Sequence, residues 1–143
     1  SHQDAEKFWQ IRDGIGELFQ VLGPVSNQDV SLPLEQIGPF ADDLDQRLKA
    51  KYNNIGVLLF GHIGDNNLHV CAYTGRDEDK FKINEDIMHM IGEYSGAITA
   101  EHGVGVLKRD FLALSRTPSE IALMKTLKVA MDPKGILNPN RVI

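Results

Sequence analysis

Apolar positions recur at helical spacing from the start of the chain. Phe8, Ile11, Ile15, Leu18 and Phe19 share one face and Gly23-Pro24 stops the run, which predicts a helix over residues 4–22. A short strand over 27–32 follows. Pro33 suits a first helical turn, and Leu34, Ile37, Phe40, Ala41, Leu44 and Leu48 carry a second amphipathic helix to residue 52. Residues 55–63 and 68–74 read as strands joined by Gly-Asp-Asn-Asn, residues that tolerate positive φ, so they should form a hairpin. Asp77 is placed to cap a helix over 78–94 with Phe81, Ile87, Met88 and Ile91 inward. Residues 96–100 read as a strand and 104–114 as a short helix. Thr117 caps a last helix over 118–131 before the tail DPKGILNPNRVI.

From the first strand onward the order is β, α, β, β, α, β. That order predicts an α+β protein, a ferredoxin-like antiparallel sheet with helices packed on one face, plus C-terminal helices, in a single domain over 1–143. In such a sheet the last strand runs parallel to the third, which would carry Glu101 to the end opposite the hairpin turn. The sequence contains no GxGxxG and no P-loop. Gly103 and Gly105 open a helix, a weak phosphate signal on their own.

Composition narrows the function classes. With 143 residues, 42% hydrophobic and 24% charged, the chain is long enough for a core without covalent staples. Its formal net charge of -5 brings no basic face, which argues against nucleic acid or an anionic membrane surface as partner. No apolar run reaches the roughly 20 residues that a spanning helix needs. The single cysteine, Cys71, excludes an internal disulfide and fits a reducing compartment. Ser1-His2 resembles the remnant of a cleaved purification tag, so His2 carries no functional weight.

Candidate chemistry centres on GHIGDNNLH, residues 61–69. With a four-residue loop at 64–67, His62 would face His69 across the hairpin. Opposed Cβ atoms lie about 4.5 to 5.5 Å apart, so two imidazoles could converge on one ion. A divalent metal wants a third, often anionic ligand, and Glu101 in ITAEHGVG offers one, with His102 beside it. The bland alternative is a pair of hydrogen-bonded core or rim histidines. Asp65 is better placed to hold the turn than to bind metal, His89 reads as a surface histidine, and Trp9 and the methionines read as packing. Lys108 and Arg109 suit either a solvated face or an anion.

GHIGDNNLH, AEHGVGVLKR and DPKGILNPNRVI in that order, with FWQIR and QDVSLPL upstream, resemble the C-terminal domain of the FAD-linked 2-hydroxyacid dehydrogenases and oxidases. That group holds D-lactate dehydrogenase, the glycolate oxidase flavoprotein subunit and D-2-hydroxyglutarate dehydrogenase, and the resemblance covers nearly the whole chain. It implies that His62, His69 and Glu101 bind zinc or manganese, that His102 is the catalytic base, and that Arg12 contacts the substrate carboxylate. Cys71 falls at a position that touches substrate in several members, and Asn138 lies in a tail segment near the flavin; Lys108, by its charge rather than by the resemblance, is a candidate substrate contact. It further implies a small 2-hydroxy acid substrate and FAD bound mainly by a separate N-terminal domain absent from these residues. The isolated chain would then be inactive, with a loosely held tail. An electron-acceptor protein or quinone, and a bacterial cytoplasmic or mitochondrial setting with peripheral membrane association, fit the same group.

Four positions depart from the family pattern. Asn66 and Asn140 replace glycines, and Asn is the best non-glycine choice for positive φ. Asn27 stands for a usual lysine, and Cys71 for an asparagine that touches substrate in several members. Two other classes stay open at this point. One is a ferredoxin-like regulatory module with no metal and a homodimeric sheet. The other is a metal-dependent hydrolase in which His102 activates water.

Overall fold

The structure, a computed structural model, describes residues 2–143; Ser1, half of the tag-like dipeptide, lies outside the described residues. Three strands, β1 (Ser26–Ser31), β2 (Gly56–Phe60) and β3 (Asn67–Tyr73), form an antiparallel sheet in the order β1-β3-β2. Among the described residues five α-helices accompany it: α1 (His2–Asp13), α2 (Ile15–Leu22), α3 (Leu34–Lys51), α4 (Asp77–Glu93) and α5 (Pro118–Met131). The α+β class expected from the sequence therefore holds. Among the described residues no helix is long and apolar enough to cross a membrane.

Strand alternation divides the sheet into two chemically different faces. Val30, Leu68, Val70 and Ala72 pack with Phe40, Leu44 and Leu48 of α3 and with Ile83, Ile87, Met88 and Ile91 of α4, and this cluster is the core. The intervening positions, Asn27 and Asp29 on β1, Leu58 and Phe60 on β2, and His69 and Cys71 on β3, share the opposite face. Chemistry-bearing residues thus sit on the side of the sheet away from α3 and α4.

Several boundaries differ from the expectation. The first helix breaks at Gly14 into α1 and α2, and its apolar stripe is not covered: Phe8 is 72% exposed and Ile11 73%. Periodicity identifies the stripe, of which the α2 end approaches β2, with the Phe19 and Phe60 ring centroids 6.2 Å apart, while the α1 end stays exposed. The cap of α4 is Arg76 with no side-chain bond, and Asp77 is already helical. Thr74 Oγ1 takes the Arg76 N–H and donates to Asp79. Phe81, expected inward, is exposed, whereas Ile87, Met88 and Ile91 are buried. The short helix over 104–114 is a 3₁₀ turn at Arg109–Leu114. Thr117 caps α5 with the reciprocal Glu120 contact of a capping box.

The fourth strand is reduced to one antiparallel bridge, Ser31 with Ala97, on the free edge of β1. The hairpin is longer than its motif implied, because Phe60 rather than His62 pairs with His69. Residues 61–66 form the loop and include a 3₁₀ turn at Ile63–Asp65. Asn66 has φ of 63°, as its place in the turn requires, and Asp65 Oδ1 accepts the Asn67 N–H. The tail is tied down: Asp132 accepts from the Ile136 and Leu137 amides, and Val142 N–H bonds the Gly105 carbonyl.

Candidate functional site

The strand β3 fixes His69, whose ring stacks on Phe60 with centroids 4.8 Å apart and planes 16° from parallel. Its Nε2 lies 3.7 Å from Glu101 Oε1, and its Nδ1 is buried with no hydrogen-bond partner. Glu101 Oε1 lies 3.8 Å from His102 Nε2, and the two imidazole centroids are 5.7 Å apart. The sequence motifs 61–69 and 101–105 therefore do meet.

They meet because the chain leaves the sheet early. After the Ala97 bridge it runs parallel to β3, as expected, but only to the level of Asp29. There the Asp29 carboxylate, 2% exposed, accepts from Thr99 Oγ1 and from the amides of Ala100, Glu101 and His102 at 2.9 to 3.3 Å. Burial pushes this carboxyl up, and the four donors more than reverse that, leaving it below its ordinary value. Lys108 Nζ bonds the Asp29 main-chain carbonyl at 2.6 Å, and burial lowers the Lys108 ammonium pKa against the pull of Asp29. Lys108, expected at the substrate, is thus engaged in tying its loop to β1.

A cleft of about 620 Å³ opens beside His69, lined by Arg12, Asn27, Phe60, Gly61 and His62. Arg12 is exposed, pairs with Asp13 at 3.1 Å and lies 5.9 Å above the Trp9 ring. His62 is an exposed loop residue on the same cleft, not the strand partner of His69. Cys71 is fully buried: its thiol donates to Asn27 Oδ1 at 3.3 Å, and burial pushes its pKa up to about 12. Of this pair, Asn27 is the exposed member that reaches the cleft. Asn138 is exposed in the tail with φ of 46° and accepts the Arg141 amide.

Donor chemistry decides how well these residues suit a divalent cation. Imidazole nitrogens with a carboxylate oxygen form a set that zinc and manganese accept. Neither nitrogen of His69 is committed to a hydrogen bond that ligation would break. Its 3.7 Å separation from Glu101 is only slightly wider than the about 3.4 Å between neighbours on a tetrahedral ion with 2.1 Å bonds. Among the described residues, however, the group whose ligand atoms all lie within 4.8 Å of one another is Asp29, Glu101 and His102. Asp29 is a poor ligand there, since its oxygens already serve four donors. His62 and His69 line one cleft, and Glu101, which is not among the residues lining it, reaches the pair only through its 3.7 Å approach to His69.

Asp29 and Phe60 were missed by sequence reasoning. Asp is disfavoured inside strands, so an Asp between Gln28 and Val30 was a legible sign that something opposes it. Nothing in the sequence marked Phe60 as the platform under His69.

The description of FAD linked oxidases, C-terminal domain, matches residues 1–142. Over 99% of the chain and 32% of the relative, it is 36% identical to D-2-hydroxyglutarate dehydrogenase of Stutzerimonas stutzeri (strain A1501). It is 40% identical to the mitochondrial D-2-hydroxyglutarate dehydrogenase of Arabidopsis thaliana, over 97% of the chain and 25% of that protein. The mitochondrial enzyme of the same name from Rattus norvegicus is 35% identical over 96% of the chain and 26% of its own length. The chain thus spans between a quarter and a third of the length of these relatives. With the motifs, the sheet face and the family match in agreement, the chain belongs to the C-terminal domain family of the FAD linked oxidases.

Proposed function

We propose that this chain is the substrate- and metal-binding part of a flavin-dependent dehydrogenase that oxidises a D-2-hydroxy acid to the 2-oxo acid. The observation that carries the reading is the convergence of His69, Glu101 and His102, with Glu101 Oε1 3.7 and 3.8 Å from the two imidazoles. His62, His69 and Glu101 would hold zinc or manganese, and FAD would belong to a separate domain with Asn138 near it. When bound, the cation polarises the substrate hydroxyl and carboxylate, and the flavin accepts the hydride that leaves Cα.

The residues of this chain do the rest. His102 Nε2, 3.8 Å from Glu101 Oε1, takes the hydroxyl proton. Arg12 exchanges Asp13 for the substrate carboxylate and presents a planar fork that fixes which face of Cα is offered. Phe60 keeps the His69 ring from turning. Asn27, backed by Cys71, lines the cleft that would take a 2-hydroxy acid. The partner that would complete such an enzyme's cycle is an electron-acceptor protein or quinone, in a bacterial cytoplasm or mitochondrion, with peripheral membrane association through it.

Calorimetric titration of the chain with zinc and with manganese tests this. Binding near one equivalent, abolished in both His62→Ala and Glu101→Ala, is the expected result, together with no turnover of 2-hydroxy acids until the flavin domain is supplied. Unchanged affinity in both variants would remove the metal assignment. Hydrolytic turnover by the isolated chain would favour the hydrolase instead.

A further inference from the structure

The loop that carries Glu101 and His102 lies in no strand or helix, yet it must present both side chains to His69 reproducibly. A continued fourth strand would have held it by a backbone ladder, but pairing with β1 stops at the single Ser31–Ala97 bridge. Ile98 N–H turns to Ser115 Oγ at 3.2 Å, and the four residues after it, 99–102, all donate to one buried acceptor. Asp29 Oδ2 receives Thr99 Oγ1 at 3.1 Å, Ala100 N at 3.1 Å, Glu101 N at 3.1 Å and His102 N at 2.9 Å. Asp29 is itself anchored, since it pairs with His69 across β1 and β3 and its carbonyl holds Lys108.

We infer that Asp29 is the positioning residue of the site: its carboxylate replaces the missing strand ladder and sets Glu101 and His102 against His69. The same backbone register that places His69 on β3 places Asp29 opposite it, so both halves of the site share one reference strand pair. Asp29 does not meet the substrate or the ion; it acts through the amides of the two residues that do. Charge strengthens these bonds, because hydrogen bonds to an ionised acceptor are roughly twice as strong as neutral ones. The inference rests on the functional reading above for its consequence and on the hydrogen bonds alone for its mechanism.

Amide hydrogen exchange followed by NMR on the 143-residue chain separates the two. In the wild type the amides of Ala100, Glu101 and His102 should be protected although they lie outside strands and helices. Asp29→Asn keeps the shape and one oxygen but loses the charge, so these three amides should exchange at least tenfold faster while Val30 and Val70 in the core are unchanged. Zinc affinity of the variant should fall about 10- to 100-fold, the usual effect of removing a group that orients a ligand. Free exchange at 100–102 in the wild type, or equal protection in Asp29→Asn, overturns the inference, as does equal loss at core and loop amides. If the wild type binds no zinc, the functional reading fails and the exchange result still decides the role of Asp29.

Discussion

Gly61 opens the 61–66 loop, and its replacement by alanine gives a prediction whose size follows from the coordinates. A Cβ built there would sit 2.2 Å from the Asn67 carbonyl oxygen, 3.0 Å from the Asn67 carbonyl carbon and 3.1 Å from Leu68 Cα. All three neighbours are backbone of β3, so no side-chain rotation relieves the overlap, and the hairpin mouth must open. Overpacking of this kind costs about 1 to 3 kcal/mol, and contact with backbone places Gly61→Ala at the upper end. For a domain of this size, 3 kcal/mol lowers the melting temperature by about 6 to 12 °C. Gly64→Ala in the same loop is the control, since a Cβ there meets nothing within 4 Å and the cost should be within about 0.5 kcal/mol of zero. Thermal melts followed by circular dichroism, with zinc titrations of each variant, provide the readout. His62 and His69 flank the displaced segment, so Gly61→Ala should also weaken zinc while Gly64→Ala does not. A Gly61→Ala chain that melts with the parent would show that the Asn67 carbonyl does not close the loop as described.

Four further outcomes can be checked independently. Asp29 is held below its unfolded value of 3.8, so its contribution to stability is present above that pH and is lost as pH falls through the folded value; urea melts from about pH 5 to pH 2 should show a slope there that Asp29→Asn flattens. Cys71, buried with its thiol pKa pushed up to about 12, should resist iodoacetamide in the native chain at pH 8 and react fully in denaturant, and native-state labelling at the rate of a free thiol would contradict the burial. Thr117→Ala removes the side-chain half of the α5 capping box and should cost about 1 kcal/mol in a denaturant titration. Trp9 is the single tryptophan and is 62% exposed, so the chain alone should show red, readily quenched emission that shifts to the blue when the flavin domain is added.

Local rules carried much of the fold into view. The periods of α3 and α4 named Phe40, Leu44, Ile87, Met88 and Ile91, all of which are buried. The Thr117 cap and the positive φ of Asn66 followed from side-chain chemistry alone. Long-range quantities were less visible. Whether a loop holds four or six residues is decided by closure around Gly61 and Asn67, and the composition of GDNN is compatible with both. The length of the fourth strand depends on a competition between the β1 edge and the Asp29 carboxylate for the same amides, and that competition exists only once the strands are paired. Amphipathic spacing in α1 reports a stripe that could be buried, but not whether its cover lies among these residues.

The way the register error left the site largely intact shows which constraint governs it. Pairing Phe60 rather than His62 with His69 moves β2 by two positions, and a two-residue step preserves the alternation of faces. Phe60 therefore lies on the face that carries His69, Asp29 and Asn27, while Leu59 stays with Val70 on the core side; a one-residue step of β2 would have turned Phe60 into the core and Leu59 toward the site. What the step changes is the kind of element that bears each ligand. His69 sits in a paired strand and Glu101 in a loop fixed by Asp29, whereas His62 passes from strand to loop. Two of the three proposed ligands are thereby set in advance by the sheet, and the third is the one whose position a bound ion would have to define.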